Sequence, residues 1–189
     1  MSNILIVGAG KGIGLETARL LVDENLLTIS RNVTPELTSL ETAFFELDVA
    51  KDDLNQISLP DELHGLVFCP GSINLRPFNR LSENDFLADF NQNFMGAIRI
   101  VQKCLPALKK SKSASIFLFS TVAVKLGMPF HTSIAASKGA IEGFAKSLAA
   151  ELATANIRVN VIAPSLSDTS LAAQLLSTEE KRVASAKRH

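Results

Sequence analysis

The sequence predicts an α/β fold in which a doubly wound parallel sheet is flanked by helices on both faces. Six apolar runs of strand length alternate with segments of helical periodicity, which is typical of strand–helix–strand units with parallel strands. The composition favours the same class, because 47% of the 189 residues are hydrophobic and 20% are charged, and strands covered on both faces need many apolar residues. The length suits one domain, which we assign to residues 1–189.

Each predicted strand is an apolar run bounded by polar or turn-forming residues. The six runs are Ile4 to Val7, Leu26 to Ser30, Ala43 to Leu47, Gly65 to Cys69, Ser115 to Ser120 and Arg158 to Ala163. Right-handed crossovers between them produce a doubly wound sheet, and ligands bind such sheets in the crevice beyond the carboxyl ends of the strands.

Helices are predicted between the strands from apolar residues at three- and four-residue steps. Leu15, Ala18 and Val22 mark the first crossover helix, and we expect Asn25 to end it in the left-handed conformation.

Longer helical segments follow in the second half of the chain. One extends over residues 86–110, where Pro106 should bend or end it, and another over residues 134–153. The capping-box pattern Ser177-Thr178-Glu179-Glu180 predicts a last, charged helix that reaches His189.

Composition and charge exclude several classes of protein. Nineteen basic residues balance nineteen acidic ones, so no global field favours nucleic acid or an anionic membrane. The sequence has no signal-peptide pattern and no membrane-spanning stretch, and its two cysteines, Cys69 and Cys104, have no metal-ligand spacing. We therefore expect a cytoplasmic protein with a small-molecule partner and no metal.

A glycine-rich loop directly follows the first strand and opens the first helix. Its sequence is Gly8-Ala9-Gly10-Lys11-Gly12-Ile13-Gly14. Glycines permit positive φ and a close approach of the backbone to a pyrophosphate, while the helix N-terminus supplies amide donors. This placement predicts a Rossmann-type dinucleotide site; the alternative is a plain tight turn.

Two basic residues favour NADP(H) over NAD(H). Arg31 follows the second strand, where folds that prefer NAD usually carry an acid for the ribose hydroxyls, and Lys11 lies in the glycine loop. Arg31 is suited to binding a 2′-phosphate. The alternative is that both residues are solvated surface cations.

Several spaced motifs resemble the short-chain dehydrogenases/reductases over nearly the whole chain. Gly8, Gly12 and Gly14 match the glycines of the family's T-G-x-x-x-G-x-G, and Asp48 matches the acid that holds the adenine amino group. Gly71 ends a segment that replaces the family's N-N-A-G, and residues 164–169 resemble P-G-x-x-x-T. The implied cofactor contacts are Gly8, Gly10, Lys11, Gly12, Ile13, Gly14, Ser30, Arg31, Asp48, Val49, Gly71, Lys138, Pro164 and Thr169.

The resemblance also implies a catalytic set from which the tyrosine is missing. Family enzymes use a serine to hold the substrate oxygen, a tyrosine to transfer the proton and a lysine one helical turn later. Here these positions hold Thr121, Ile134 and Lys138, and the sequence contains no tyrosine at all. Asn93 matches the asparagine that holds a water beside the lysine, although a polar residue in a helix can also make only local bonds.

The sequence therefore does not identify the proton donor. General acid–base catalysis raises reaction rates by roughly 10²–10⁴-fold, so its loss would severely reduce the rate. His131 could substitute if the helix begins early, as could Ser133 or Lys138 acting through a water; the alternative for His131 is a loop or surface role.

Two functions follow from these observations. The first is an NADP(H)-dependent oxidoreductase that acts on a carbonyl or secondary alcohol with an atypical proton donor. The second is a catalytically impaired NADP(H)-binding protein with a regulatory or scaffold role. A purely structural subunit would explain neither the glycine loop nor Lys138.

The C-terminal region is shorter than the resemblance implies. Family members continue into a further helix and a seventh strand, so we expect the sixth strand to lie at an edge of the sheet. We interpret the chain as C-terminally incomplete relative to the family, with a natural truncation as the alternative. Family analogy also implies a homo-oligomer, either a dimer or a tetramer.

Overall fold

A computed structural model of the chain describes residues 1–186. Its centre is a parallel sheet with the strand order β3-β2-β1-β4-β5-β6. The strands are β1 (Asn3–Val7), β2 (Asn25–Ser30), β3 (Ala43–Glu46), β4 (Gly65–Phe68), β5 (Ala114–Phe119) and β6 (Ile157–Ile162). All six predicted strands are confirmed to within one residue at each end, and β6 lies at an edge of the described sheet as expected.

Helices connect the strands and cover both faces of the sheet. They are α1 (Gly12–Leu20), α2 (Pro35–Thr38), α3 (Glu83–Phe90), α4 (Gly96–Lys110), α5 (Ala123–Leu126), α6 (Thr132–Leu152) and α7 (Glu179–Ala186). Short 3₁₀ segments occur at Leu54–Gln56, Phe78–Arg80, Ala153–Ala155 and Ala173–Leu176, and a π-helical turn at Asn91–Met95 joins α3 to α4. None of the helices within residues 1–186 is both long and apolar enough to cross a lipid bilayer.

Two helix boundaries differ from their predictions. The left-handed helix end predicted at Asn25 is wrong, because α1 ends at Leu20 and Asn25 begins β2, with its N–H donating to the Ser2 carbonyl at 3.0 Å. The helix predicted over residues 86–110 begins earlier and is divided by the π-helical turn, and α4 continues past Pro106 to Lys110.

The last helix begins where the capping pattern places it. Thr178 caps α7 by accepting from the N–H of Lys181 at 3.3 Å. The predicted extension to His189 falls outside the described residues.

Alternation along the strands divides the core between the two faces of the sheet. Leu5 and Val7 of β1 point to the larger cluster, which is formed with α4 and α6, while Ile6 between them points to a smaller cluster formed with α1. All three are at most 1% exposed. Burial on both faces confirms the doubly wound α/β fold, and it leaves the carboxyl ends of the parallel strands as the edge at which polar side chains converge.

Candidate functional site

A cleft of about 350 Å³ lies beyond the carboxyl ends of β1, β2, β3 and β4. Every predicted cofactor contact lines this cleft except Lys138 and Pro164. Residues that the sequence reasoning did not name also line it, and these include Asn32, Thr34, Cys69, Pro70 and Gln92. The structure therefore brings segments that are distant in the sequence to one concave surface.

The glycine loop is shaped by close backbone contacts. Gly8 has a φ of +82°, and its N–H donates to the Ile29 carbonyl at 2.7 Å. A Cβ at Gly14 would lie 2.3 Å from the Gly8 carbonyl oxygen, so α1 can approach β1 this closely only with glycine there. No side chain caps the N-terminus of α1, so its first amides are available to an anion.

Two cationic side chains line this cleft. Lys11 and Arg31 are both exposed and line it, and neither forms an ion pair within residues 1–186. At the end of β2 the Ser30 hydroxyl donates to the Asn32 carbonyl, and residues 31–35 include no acidic side chain. The end of β2 is therefore positively charged.

Asp48 organises the turn after β3. Its Oδ1 accepts from the N–H of Ala50 at 3.0 Å, and its Oδ2 lies 3.9 Å from the Lys51 ammonium. Arg99 of α4 donates to the Val49 carbonyl at 2.6 Å. These contacts fix Asp48 and Val49 at the wall of the cleft.

The loop after β6 links the glycine loop to the segment that follows β5. A Cβ at Gly12 would lie 3.4 Å from the Thr169 side chain. At the other end of the loop, the Pro164 carbonyl accepts from the N–H of Val122 at 3.2 Å. Pro164 thus contacts the segment that follows β5, whereas Thr169 lines the cleft.

Lys138 is the most strongly perturbed cation of the site. Its side chain is 6% exposed, and its Nζ lies 3.5 Å from the Pro70 carbonyl oxygen. Burial lowers the pKa of Lys138 to about 8, and the nearby Cys69 thiol offsets part of this effect. A buried lysine with such a pKa can exchange a proton close to neutral pH.

The other predicted catalytic positions lie on either side of α5. Thr121 is half-buried just before α5, and its Oγ1 accepts from the N–H of Ala123 at 3.3 Å. Ile134 is 6% exposed in the first turn of α6, one turn before Lys138.

Asn93 is fully buried in the π-helical turn. Its Nδ2 donates to the Ser72 hydroxyl at 2.9 Å and to the Asp89 carbonyl at 2.7 Å. Its Oδ1 has no partner among the described residues. A Cβ at Gly71 would lie 3.7 Å from this oxygen and 3.9 Å from the Lys138 Nζ, so an unpaired acceptor and an ammonium flank the same point.

His131 lies just before the first residue of α6, as the early helix start requires. Its Nδ1 is 2.7 Å from the Pro129 carbonyl oxygen, so one ring nitrogen is engaged by its own turn. This contact favours the local role over the catalytic one.

The sequence reasoning missed a buried carboxylate behind these residues. Asp89 is 3% exposed, and its two oxygens accept from the hydroxyls of Ser72 and Ser133. The available signal was its spacing, because Asp89 precedes Asn93 by four residues and residues so spaced share a helical face.

The chain is similar to known oxidoreductases over most of its length. A model of the short chain dehydrogenase family matches residues 2–180. The chain is 30% identical over 189 residues to a 3-oxoacyl-(acyl-carrier-protein) reductase of Thermotoga maritima, which covers 90% of this chain and 76% of that protein. It is 31% identical over 191 residues to retinol dehydrogenase 8 of Homo sapiens, covering 92% of this chain and 61% of that protein.

Solved structures show the same fold. A short-chain type dehydrogenase/reductase from Mycobacterium ulcerans is 21% identical with a TM-score of 0.85, covering 96% of this chain and 74% of that one. ElxO with NADP bound is 24% identical with a TM-score of 0.83, covering 97% and 82% respectively. The range matched by the family model, residues 2–180, includes the glycine loop, Asn93 and the segment from Thr121 to Lys138.

Proposed function

The chain belongs to the short chain dehydrogenase family, and from that premise we propose that it is an NADP(H)-dependent oxidoreductase. Its substrate would be a carbonyl compound or a secondary alcohol, and its proton donor a group other than tyrosine. The observation that carries this proposal lies beside the glycine-lined cleft, where the buried Lys138 ammonium and the Asn93 Oδ1, which has no partner among the described residues, flank Gly71.

The residues of the cleft fit a dinucleotide. Side chains at Gly8 and Gly14 would meet the backbone within 3.1 Å and 2.3 Å, so the loop keeps an open surface of amides at the start of α1. Lys11 and Arg31 would hold the 2′-phosphate that distinguishes NADP(H) from NAD(H). The similar structure of ElxO, which contains NADP, is in keeping with this choice.

Three side chains would divide the catalytic work around a bound nicotinamide, which would supply or accept the hydride. Thr121 holds the substrate oxygen through its hydroxyl, and Lys138 holds the ribose hydroxyls through its ammonium. The Asn93 Oδ1 and the Lys138 Nζ together offer an acceptor and a donor for one water at Gly71, which is a polar site of the kind that retains a buried water.

Lys138, acting through such a water, is the proton donor that we favour over His131. A catalytic acid is most effective when its pKa lies near the working pH, and burial brings the pKa of Lys138 to about 8. His131 has one ring nitrogen engaged by Pro129, and the Ser133 hydroxyl already donates to Asp89.

A catalytically impaired NADP(H)-binding protein is the second candidate, with a regulatory or scaffold role. The observation in its favour is Ile134, an aliphatic and buried side chain one turn before Lys138. Such a side chain cannot transfer a proton, whereas the binding surface does not depend on it.

Restoring the phenol separates the two candidates. The unmodified chain, Ile134→Tyr and the matched control Ile134→Phe are compared for NADPH binding and for oxidation of NADPH with a panel of carbonyl compounds. If the chain is an oxidoreductase, we expect turnover by the unmodified chain, similar turnover by the phenylalanine variant, and a turnover rate roughly 10²-fold higher with tyrosine. Tight binding without turnover until tyrosine is introduced would identify the impaired protein instead.

We also propose a cytoplasmic location and a homo-oligomeric assembly, dimeric or tetrameric. Light scattering on the purified chain tests the assembly, since a mass of 20.3 kDa corresponds to the monomer.

A further inference from the structure

A buried polar cluster connects three elements behind Lys138. We call it the Asp89 cluster, and it consists of Ser72, Asp89, Asn93 and Ser133. Asp89 lies on α3, Ser72 in the segment after β4, and Ser133 in the first turn of α6. The Ser72 and Ser133 hydroxyls donate to the two carboxylate oxygens at 2.5 Å each, which is a distance typical of a hydroxyl bound to a charged carboxylate.

The carboxylate of this cluster has no cationic partner. Within residues 1–186, Asp89 is 3% exposed and forms no ion pair. Burying a carboxylate is costly even with two hydrogen bonds, and an apolar side chain of similar volume would fill the same space at less cost. Packing alone therefore does not account for an acid at this position.

The directions of the hydrogen bonds explain what the acid does. A carboxylate only accepts, so the single hydroxyl proton of Ser72 is directed to Asp89. The Ser72 oxygen can then only accept from Asn93, and it does so from Nδ2 at 2.9 Å. The same nitrogen also donates to the Asp89 backbone carbonyl at 2.7 Å, so both bonds turn it toward the cluster and direct the Oδ1 away from it.

The same serine also anchors the backbone that contacts Lys138. Ser72 follows Pro70 and Gly71, and the Pro70 carbonyl is the acceptor 3.5 Å from the Lys138 Nζ. Holding Ser72 against α3 therefore holds both acceptors near the ammonium, namely the Pro70 oxygen and the Asn93 Oδ1.

We propose that Asp89 is a positioning residue for Lys138 that acts through Ser72. Its carboxylate fixes the turn after β4 and helps to fix the amide of Asn93, so that the Pro70 oxygen stays against the ammonium and the Asn93 Oδ1 stays across Gly71 from it. The importance of Lys138 in cofactor binding rests on the proposed function, but its ionisation can be measured without any cofactor.

Other titratable groups surround Lys138 in the part of the chain that the structure describes. Cys69 at the end of β4 acts on it electrostatically. Glu142 follows one turn later on α6, where its Oε1 accepts from the Ser120 hydroxyl at 2.6 Å, and His131 precedes α6. None of these groups contacts the Asp89 carboxylate, so variants at Asp89 and Ser72 leave them in place.

The experiment is a titration of Lys138 in the cofactor-free protein by NMR of ¹³Cε-labelled lysine, with the resonance assigned from Lys138→Met. The midpoint of the unmodified chain should be about 8. Asp89→Val and Ser72→Ala should each lower it by about one pH unit, which is the size expected when hydrogen bonding to a charged group is weakened. Asp89→Asn removes the charge but can still accept from Ser72, and it should restore the midpoint of the unmodified chain.

Asp85→Asn is the matched control, since it neutralises another carboxylate of α3 that contacts Ser82, Asn74 and Arg76 rather than the cluster. Its midpoint should not move. Two results would overturn the proposal: an Asp89→Asn midpoint as low as that of Asp89→Val, which would indicate a charge effect alone, or an unchanged midpoint in Ser72→Ala. If Asp89→Val does not fold, the Asp89→Asn midpoint is compared with that of the unmodified chain, and a decrease of about one pH unit would overturn the proposal, as would an unchanged Ser72→Ala midpoint.

NADPH titrations of the same samples separate this inference from the proposed function. If the midpoints are as expected but the unmodified chain does not bind NADPH, the proposed function is refuted and the positioning role is supported. If NADPH binds normally but the Lys138 midpoint is unchanged in both Asp89→Val and Ser72→Ala, only the positioning role is overturned.

Discussion

Replacing Lys138 with methionine should stabilise the fold at neutral pH and weaken dinucleotide binding. The lysine is 6% exposed, and burial lowers its pKa from the ordinary value of 10.5 to about 8. At 1.36 kcal/mol per pH unit, the charged lysine destabilises the folded state by about 3 kcal/mol at pH 7. Methionine has a similar volume and no charge to bury, so Lys138→Met should remove this cost.

The gain depends on pH in a defined direction. Between pH 8 and 10.5 the unfolded chain keeps a proton on Lys138 that the folded chain has released, so the unmodified protein becomes more stable as pH rises through this window. The advantage of Lys138→Met should therefore be greatest at pH 7 and smaller by about 3 kcal/mol at pH 10.5. For a chain of 189 residues, about 3 kcal/mol corresponds to a Tm increase of roughly 6–12 °C.

The assay is urea unfolding followed by circular dichroism at pH 7, 9 and 10.5. Lys146→Met is the matched control, because Lys146 lies on the same helix and is exposed. Its free energy of unfolding should differ little from that of the unmodified protein at any of these pH values. The reasoning is refuted if Lys138→Met is no more stable than the unmodified protein at pH 7, or if its advantage does not change with pH.

Three further predictions concern the glycine loop, Arg31 and Thr121. Gly14→Ala should lower the free energy of unfolding by at least about 1–3 kcal/mol, because its Cβ would lie 2.3 Å from the Gly8 oxygen. Gly143→Ala has open space around it in α6 and should raise the free energy of unfolding by about 0.5–1 kcal/mol. Equal effects of the two substitutions in thermal melts would contradict this prediction. Arg31→Asp should weaken NADPH binding by roughly 10–100-fold and strengthen NADH binding, and calorimetry showing no change in the ratio would exclude Arg31 from the phosphate site. Thr121→Val should reduce kcat/KM by roughly 10-fold or more at an unchanged NADPH Kd, and a loss confined to NADPH affinity would place Thr121 elsewhere.

The sheet could be predicted because local patterns specify it. Each strand is a short apolar run between turn-forming residues, and strands buried on both faces have this composition. The division of the helix around residues 86–110 was not predictable, because a π-helical turn inserts a residue without changing the apolar pattern that precedes and follows it. The helix end predicted at Asn25 was wrong because asparagine suits a left-handed helix end as well as the polar start of a strand.

The residues that line the cleft were also accessible from sequence, because the glycine loop, Arg31 and Asp48 each adjoin the end of a strand. The Asp89 cluster was not, since its hydrogen bonds join residues 17 and 44 positions apart and depend on how α3 packs against α6. The unpaired Asn93 oxygen and the lowered pKa of Lys138 are likewise results of packing, which motif spacing does not report.

The most direct test of the central claim is calorimetric titration of the unmodified chain with NADPH and with NADH. We expect saturable binding of NADPH to one site per chain, roughly 10–100-fold tighter than the binding of NADH, because Arg31 and Lys11 contact the 2′-phosphate. We also expect the affinity for NADPH to fall as the pH is raised through about 8, where Lys138 loses its charge. Absence of binding by either nucleotide across this pH range would contradict the account.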